Sequence, residues 1–405
     1  MSKITLFLLF IGIFGQLSAQ NISYKKYEYV GTGASQHYQY LPMLAGKHIG
    51  VVTNHTAIIQ KIVHQKDSTI TVQNEHLVDF LLSKKVKIDK VFAPEHGFRG
   101  TADAGEVIKD GVDTKTKLPI VSLYGKNKKP TAEQLKGIEV MLFDLQDVGV
   151  RFYTYISTLH YVMEACAENY IPLVILDRPN PNGHFMDGPV LEPAYKSFIG
   201  MHPVPVVYGM TIAEYAQMIN GEKWLKGGLQ CNLKIVPLKS YDRKAIYPLP
   251  IPPSPNLPNA TAVNLYPSLC FFEGTQVSMG RGTKWQFQIY GSPYLEKTAF
   301  TFVPKPNAGD KNPKFNGRTC YGEDLTQTPP LSELNLSWLI KAYEQTSGIK
   351  TPFFTSSFDK LAGNKNLKEQ LLQHKSEKEI KESWQKSLKD FAKIRRKYLL
   401  YPSEF

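Results

Sequence analysis

The chain has 405 residues, a formal net charge of +12 and an apolar fraction of 42%. That length exceeds one ordinary hydrophobic core and predicts two domains, while the apolar fraction is typical of a globular protein. No internal repeat and no low-complexity segment is visible in the sequence, which excludes repeat and low-complexity architectures.

The first nineteen residues have the pattern of a secretory signal peptide. Lys3 gives a basic start, the apolar stretch 4–14 is too short to span a bilayer, and Ala19 is a small residue suited to cleavage. We therefore expect a periplasmic or secreted mature chain that begins near Gln20 and has no membrane span. An N-terminal anchor is the alternative. Outside the cell, the positive charge favours anionic wall polymers or membrane surfaces over nucleic acid as partners.

The four cysteines are widely spaced and form no CxxC pair. This spacing argues against a zinc finger or a thioredoxin-type redox site. We expect buried thiols, with a disulfide between Cys270 and Cys320 as the alternative.

Short apolar strands alternate with helical patterns through the first two thirds of the chain. Thr211, with Glu214 three residues later, has the form of a helix capping box. The alternation predicts an α/β fold with a mostly parallel sheet covered by helices. Strands are predicted at 48–53, 90–93, 119–123, 139–143, 172–176 and 232–236, and helices at 77–82, 131–136, 155–169 and 211–220.

Polar side chains cluster directly after the predicted strands. In a parallel sheet these positions lie on one edge, where open α/β sheets bind their ligands, so we expect them to converge on one cleft. Helix capping is an alternative role for Asp147 and Asp177. The clustered residues are Asn54, His55, Glu95, His96, Tyr124, Asp144, Gln146, Asp147, Asp177 and Arg178.

A proline-rich run at 247–258 (YPLPIPPSPNLP) predicts the junction between the two domains. We expect a catalytic domain at 20–248 and a smaller α+β domain at 249–405 that completes the cleft. Asn256 in this run supplies an amide that can bind a substrate.

Several classes of chemistry lack their motifs. There is no GxGxxG or GxxxxGK[ST] for phosphate binding, no GxSxG for a serine hydrolase and no HExxH for a metallopeptidase. A metal site remains an alternative because five histidines have carboxylates nearby. They are His55, His96, His160, His184 and His202.

Glycoside hydrolysis needs a carboxylic acid that protonates the leaving oxygen and a second group that stabilises or traps the sugar cation. Glu95, which leaves a strand in the stretch VFAPEHGFRG (91–100), suits the acid role. Glu106, Asp144 and Glu273 are candidates for the second group, and ordinary surface or hydrogen-bonding roles are the alternative for Glu106 and Glu273.

Ordered motifs through most of the mature chain resemble the exo-β-N-acetylmuramidase (NamZ-like) family of peptidoglycan glycosidases. Lys284-Trp285 follows MGRGT at a place where the resemblance implies a proline near the phenylalanine. This difference bears on fine substrate preference. The matching motifs are GVVTNHTAI (50–58), VFAPEHGFRG (91–100), DAGE (103–106), LPIVSLYG (118–125), LFDLQDVGVRFYTYISTL (142–159), LDRPNPNG (176–183), GPVLEP (188–193), VVYGMTIAEYAQMING (206–221), PSPNLPN (253–259), YPSLCFFEGT (266–275) and MGRGT (279–283).

The resemblance implies a Rossmann-like catalytic domain with helices on both faces of its sheet, a smaller C-terminal domain and a cleft between them. It implies release of terminal N-acetylmuramic acid from non-reducing ends, no cofactor, and Glu95 as the favoured catalytic residue. We expect catalytic residues among Glu95, His96, Glu106, Asp144 and Glu273. We expect substrate-binding residues among Asn54, His55, Arg99, Tyr124, Gln146, Arg151, Tyr153, Asp177, Arg178, Asn256 and Arg281.

Two other functional classes fit the same residues. One is a non-catalytic protein that binds wall sugars, for which the cleft alone suffices. The other is a metal-dependent hydrolase that acts on wall amides. For the selection of muramic acid, whose lactyl ether carries a carboxylate, we expect an arginine, with Arg151 and Arg281 favoured over Arg99.

Overall fold

A computed structural model describes residues 30–64, 70–99, 110–244, 247–346 and 352–403. The predicted signal peptide and the DAGE motif lie outside these residues. The strands within them are β1 His48–Thr53, β2 Ile58–His64, β3 Ile70–His76, β4 Lys87–Ala93, β5 Gly111–Val112, β6 Pro119–Ser122, β7 Val140–Asp144, β8 Leu173–Leu176, β9 Leu233–Val236, β10 Ile289–Ser292, β11 Thr301–Phe302 and β12 Cys320–Asp324.

The main sheet has seven strands within the described ranges, in the order β5-β6-β4-β1-β7-β8-β9. Every neighbouring pair is parallel except β5 with β6. The strands β1, β7 and β8 are nearly continuous apolar runs, because a central strand of a parallel sheet is buried on both faces. Of the strands that follow β1 in this sheet, β4 to β6 lie on one side of it and β7 to β9 lie on the other. This reversal of strand order opens a crevice at the carboxyl edge of the sheet, next to β1.

Helices cover this sheet and build most of the second region. Thr131 and Thr211 each form a capping box with the residue three positions on, which confirms the sequence prediction for Thr211. The α-helices are α1 His37–Leu44, α2 Leu77–Ser83, α3 Ala132–Leu135, α4 Tyr155–Glu168, α5 Ile212–Gly221, α6 Ala260–Leu269, α7 Ser337–Gln345, α8 Phe358–Ala362, α9 Asn366–Leu372, α10 Glu377–Ser383 and α11 Gln385–Arg396.

The second region combines a three-stranded antiparallel sheet, in the order β10-β12-β11, with helices α6 to α11. The predicted fold class, a mostly parallel sheet plus a smaller α+β region, is therefore confirmed. One hydrophobic core continues from the first region into the second. Phe152 packs against Tyr266 and Phe271 with ring centroids 5.8 and 5.7 Å apart.

The end of the chain returns to the first region. The Arg395 guanidinium donates to the Gly209 carbonyl, with Nη2 at 2.6 Å, and the Tyr401 hydroxyl donates to Asp177 Oδ2 at 2.6 Å. The four cysteines are buried free thiols, so Cys270 and Cys320 are not joined. None of the described helices combines the length and apolar character needed to cross a membrane.

Candidate active site

A cavity of about 260 Å³ opens at the carboxyl edge of the sheet, where the loops after β4, β6 and β7 meet the second region. Its lining combines polar and aromatic side chains, which is the composition expected of a small-molecule binding site. The polar residues are Glu95, His96, Tyr124, Tyr153, Thr154, Ser254, Asn256, Glu273 and Arg281. The aromatic and aliphatic residues that line the cavity are Phe152, Phe198, Ile199, Leu257, Tyr266 and Phe287.

Glu95 is held by hydroxyl groups from two different loops. Thr154, directly before α4, donates its Oγ1 hydrogen to Glu95 Oε2 at 2.8 Å. Tyr124, after β6, hydrogen-bonds to the same carboxyl group, and burial together with the charge of Glu95 raises the pKa of the tyrosine. The Tyr155 hydroxyl lies 3.4 Å from the backbone oxygen of Glu95. These contacts fix the direction of the Glu95 carboxyl group.

The turn that carries Glu95 has unusual backbone geometry. His96 has φ of 70° and Gly97 has φ of 71°, and the Gly97 amide donates to the Pro94 carbonyl at 3.0 Å. A left-handed conformation costs a residue with a Cβ roughly 1–2 kcal/mol. The fold therefore sustains local strain at the place where Glu95 and His96 reach the cavity.

Glu273 supplies a second carboxyl group to the cavity from the second region. It lies in the 3₁₀ helix Cys270–Gly274, which follows α6. Burial raises the pKa of Glu273, and the nearby positive charges of Arg281 and Lys314 oppose that shift. Arg281 Nη1 is 3.7 Å from Glu273 Oε1, and Arg281 Nε is 2.9 Å from Asp310 Oδ2. A carboxyl pair and a cation thus share one cavity.

The proline-rich run forms part of the cavity wall. The Tyr153 hydroxyl donates to the Pro253 carbonyl at 2.7 Å, and the His55 ring Nε2 lies 3.0 Å from the Pro252 carbonyl. Asn256 is 3% exposed, and its Nδ2 donates to the Gly309 carbonyl at 2.6 Å. Its Oδ1 has no hydrogen-bond partner. The run is therefore anchored to the first region, and the Asn256 oxygen is enclosed against Gly309.

Several predicted site residues lie beneath the cavity rather than in it. Asp144 and Arg178 form a buried ion pair, with Nη2 to Oδ2 at 2.9 Å, and Arg178 also donates to the Ile58 carbonyl. Asn54 donates to the Tyr155 hydroxyl at 2.6 Å, and Gln146 donates to the Pro179 carbonyl at 2.7 Å. The strand ends do converge as expected, but these side chains turn inward and support the loops.

Asp177 takes the capping role that the sequence left open. Its Oδ1 accepts from the Ala213 amide in the first turn of α5 at 3.1 Å. Asp147 accepts from the Gly149 amide at 2.7 Å and from the Tyr208 hydroxyl. Both carboxylates are buried hydrogen-bond acceptors that stabilise loops outside the cavity.

Two of the three arginines proposed to bind the lactyl group are engaged elsewhere. The Arg151 guanidinium is fully buried and donates to four backbone carbonyls at 2.8 to 2.9 Å, which ties the first region to α8. Arg99 binds Asp113, with Nη2 to Oδ2 at 2.6 Å, and lowers the pKa of that aspartate. Neither Arg151 nor Arg99 lines the cavity. Arg281 does.

Glu106 lies outside the described residues, so its role as the second catalytic group stays a prediction.

Four residues that line the cavity were not predicted from the sequence: Thr154, Phe198, Tyr266 and Phe287. Thr154, Tyr266 and Phe287 lie in or beside motifs already singled out, whereas Phe198 follows no motif. Its ring packs 6.1 Å from that of Tyr124, under the Lys128 ammonium at 4.5 Å.

The histidines considered as metal ligands are dispersed. His160 and His202 are buried against each other, with 2.9 Å between ring nitrogens, and burial lowers the pKa of each. In the part of the chain that the structure describes, no group of three or more His, Cys, Asp or Glu side chains is arranged to hold a metal ion.

Comparison with known proteins identifies the family. Two family models match in succession, the N-terminal part of exo-β-N-acetylmuramidase NamZ at residues 49–261 and its C-terminal part at residues 264–401. The chain belongs to the NamZ family. The peptidoglycan β-N-acetylmuramidase NamZ of Bacillus subtilis (strain 168) is 38% identical over an alignment of 383 residues, and the match covers 89% of this chain and 89% of that protein.

Two solved structures of DUF1343 family proteins from Bacteroides fragilis NCTC 9343 have the same fold. One is 40% identical with a TM-score of 0.83 and covers 93% of this chain and all of its own. The other is 28% identical with a TM-score of 0.76 and covers 92% of this chain and 99% of its own.

The two NamZ models divide the cavity between them. Glu95 falls in the N-terminal model, whereas Glu273 and Arg281 fall in the C-terminal one. The predicted domain boundary at 248/249 is a separate matter and stays a prediction. Lys284-Trp285, noted as unusual, forms a local contact in which the Lys284 ammonium lies 4.6 Å from the Trp285 ring.

Proposed function

We propose that this protein is an exo-acting glycoside hydrolase that releases terminal N-acetylmuramic acid from the non-reducing ends of peptidoglycan fragments. The observation that carries the proposal is the pair of carboxyl groups, Glu95 and Glu273, that line one cavity from two different parts of the chain in a member of the NamZ family. The printed name of the Bacillus subtilis relative supports the substrate class.

In this proposal Glu95 protonates the glycosidic oxygen as the bond to the anomeric carbon breaks. Glu273 faces the developing positive charge on the sugar. Water then adds to the anomeric carbon, and its released proton returns to the carboxylate that acted as acid. The hydroxyls of Thr154 and Tyr124 keep Glu95 in a fixed orientation, so little reorganisation is needed during the reaction.

Recognition of the sugar falls to the second region in this proposal. Arg281 is the cavity cation that can bind the lactyl carboxylate, and charge-assisted hydrogen bonds to a carboxylate favour arginine. Asn256 lines the same cavity, and its buried amide holds the loop at Gly309 in place. Aromatic rings of Tyr266 and Phe287 supply apolar surface for the sugar ring.

Export to the periplasm or the medium also belongs to the proposal. It rests on the basic and apolar pattern of residues 1–19. Mass measurement of the protein from its native host tests it, since cleavage removes this segment. A chain that keeps residues 1–19 contradicts export through a cleaved signal peptide.

The proposed function is tested with 4-nitrophenyl N-acetylmuramide and with a muramic-acid-capped disaccharide, each with and without a chelator. We expect release of muramic acid from both substrates, with rates that the chelator does not change. Binding without release selects the wall-sugar binding protein. Loss of activity with chelator, or cleavage of wall amides instead, selects the metallohydrolase.

Replacing Arg281 with Met is expected to change substrate choice. One charge-assisted hydrogen bond is worth roughly 1.5–3 kcal/mol, so kcat/KM for N-acetylmuramides should fall about tenfold or more. Cleavage of the matching N-acetylglucosaminides should fall much less, because that sugar has no lactyl group. The measurement is the ratio of the two kcat/KM values.

Arg318→Met is the matched control, since Arg318 is an exposed arginine of the same region that lies over the rings of Tyr294 and Phe315. It should leave the ratio unchanged. Equal losses for both sugars in Arg281→Met would show that Arg281 supports Glu273 without binding the lactyl group.

A further inference from the structure

Lys314 lies against the short helix that carries Glu273. Its ammonium donates to the backbone carbonyls of Phe272 at 3.1 Å, Thr275 at 2.5 Å and Val277 at 3.1 Å. An ammonium group has three N–H donors, so these carbonyls use all of them. The first carbonyl precedes Glu273 in the chain and the other two follow it, so Lys314 holds the backbone on both sides of the carboxyl group.

Local contacts already hold one of these carbonyls. The Phe272 carbonyl accepts from the Thr275 amide and from the Thr275 hydroxyl, each at 3.0 Å, in the turn that ends the 3₁₀ helix Cys270–Gly274. A cation near the carboxyl end of a helix interacts favourably with its last carbonyls. Lys314 adds that cation from a distant segment and joins the Phe272 carbonyl to those of Thr275 and Val277.

The same segment supports two more residues of the cavity. In the loop 307–314, the Gly309 carbonyl accepts from Asn256 and the Asp310 carboxylate pairs with Arg281. The loop therefore contacts Asn256 and Arg281 directly, and through Lys314 it contacts the backbone around Glu273. Its own conformation is set by Asn307, whose Oδ1 accepts from the amides of Gly309 and Asp310.

We propose that Lys314 is a positioning residue for Glu273, which it holds in place through the backbone of the turn. This inference rests on the proposed function and adds a residue that no sequence motif indicated. Lys314 acts through Glu273 and does not itself react with the sugar.

The charge of Lys314 makes its contacts, and with them the expected activity, depend on pH. Burial, opposed by the charge of Glu273 and assisted by that of Arg281, lowers the pKa of Lys314 to about 8. Below that pH Lys314 is charged, binds the three carbonyls and lowers the pKa of Glu273. As pH rises through about 8, Lys314 loses its charge and both effects weaken. Activity should therefore decline on the alkaline side near pH 8.

The experiment compares the wild type with Lys314→Met and Lys314→Arg, using kcat and KM for the muramic-acid-capped disaccharide from pH 5 to 10. In Lys314→Met we expect kcat to fall about tenfold to a hundredfold, with KM changed about twofold or less, because misplacement of a catalytic group has effects of this size. The alkaline decline near pH 8 should disappear.

Lys314→Arg should recover part of kcat and move the alkaline decline to higher pH, since a guanidinium keeps its charge above pH 12. Lys297→Met, which removes an exposed lysine of the same region, should match the wild type throughout. Thermal unfolding of each variant shows how much protein is folded at the assay temperature.

Two results would overturn the inference. One is an alkaline decline that stays in place in both Lys314 variants. The other is a loss of kcat in Lys314→Met that the loss of folded protein accounts for in full. Absence of muramic acid release by the wild type is a different result, because it contradicts the proposed function itself.

Discussion

Glu95→Gln is expected to lower kcat for the muramic-acid-capped disaccharide by about 10²- to 10⁴-fold, the usual contribution of general acid catalysis. The amide keeps the shape of the side chain and can still accept the hydrogen bond from Thr154, so the fold should be retained. Steady-state kinetics at the pH optimum give the change, and circular dichroism confirms that the variant is folded.

The leaving group distinguishes an acid from other roles. A sugar is a poor leaving group that needs protonation, whereas 4-nitrophenolate leaves without much help. If Glu95 is the acid, Glu95→Gln should lose far more activity on the disaccharide than on the nitrophenyl glycoside. Glu273→Gln should lose activity on both substrates to a similar degree.

The opposite pattern would exchange the roles of the two carboxyl groups. Near-normal turnover of the disaccharide by Glu95→Gln would remove Glu95 from the acid role. Glu133→Gln, an exposed position in the first turn of α3, is the matched control and should have wild-type kinetics.

Asp144→Ala is expected to destabilise the protein by about 3–5 kcal/mol, because it leaves the Arg178 guanidinium buried without a counter-charge. Asp144 is 0% exposed and Arg178 is 2% exposed, so water cannot replace the lost partner. Urea unfolding measures the effect as a lower midpoint. A loss of this size can leave little folded protein at room temperature.

The double variant Asp144→Ala/Arg178→Met tests the cause. Removing both charges should restore much of the lost stability, since an apolar replacement of a buried ion pair is often neutral or better. Lys341→Ala breaks the surface pair with Glu323 and should change stability by about 1 kcal/mol or less. If Asp144→Asn kept full stability but abolished turnover, Asp144 would be catalytic, as the sequence had suggested.

The central strands and their helices could be predicted because their burial leaves a clear pattern. The strand predicted at 48–53 matches β1 His48–Thr53, and the helix predicted at 155–169 matches α4 Tyr155–Glu168 to within one residue. The hairpin of β2 Ile58–His64 and β3 Ile70–His76 was missed, because its polar residues give no continuous apolar run. The second region was predicted only in outline.

The candidate site could be predicted in part. The position of Glu95 after a strand placed it at the correct edge of the sheet, and Glu273, Asn256 and Arg281 also line the cavity. Sequence could not show which polar residues turn inward at that edge. Asp144 lies beneath the cavity because its partner Arg178 follows the neighbouring strand, which is a property of the packed sheet.

Lys314 is a residue of the candidate site that could not be predicted from the sequence. It is 41 residues from Glu273 in the chain and belongs to no recognisable motif, yet its three hydrogen bonds all go to the backbone around that glutamate. Contacts from a side chain to a distant backbone leave no periodicity in a sequence, so they become visible only in the folded chain.

The left-handed backbone of His96 has a consequence for engineering. Glycine adopts this conformation without the steric penalty, so His96→Gly relieves strain of roughly 1 kcal/mol, less the added freedom of the unfolded chain. The same change removes an imidazole from the cavity beside Glu95. Position 96 therefore joins a strained backbone to a buried side chain of the cavity, and a library for this enzyme should keep it constant.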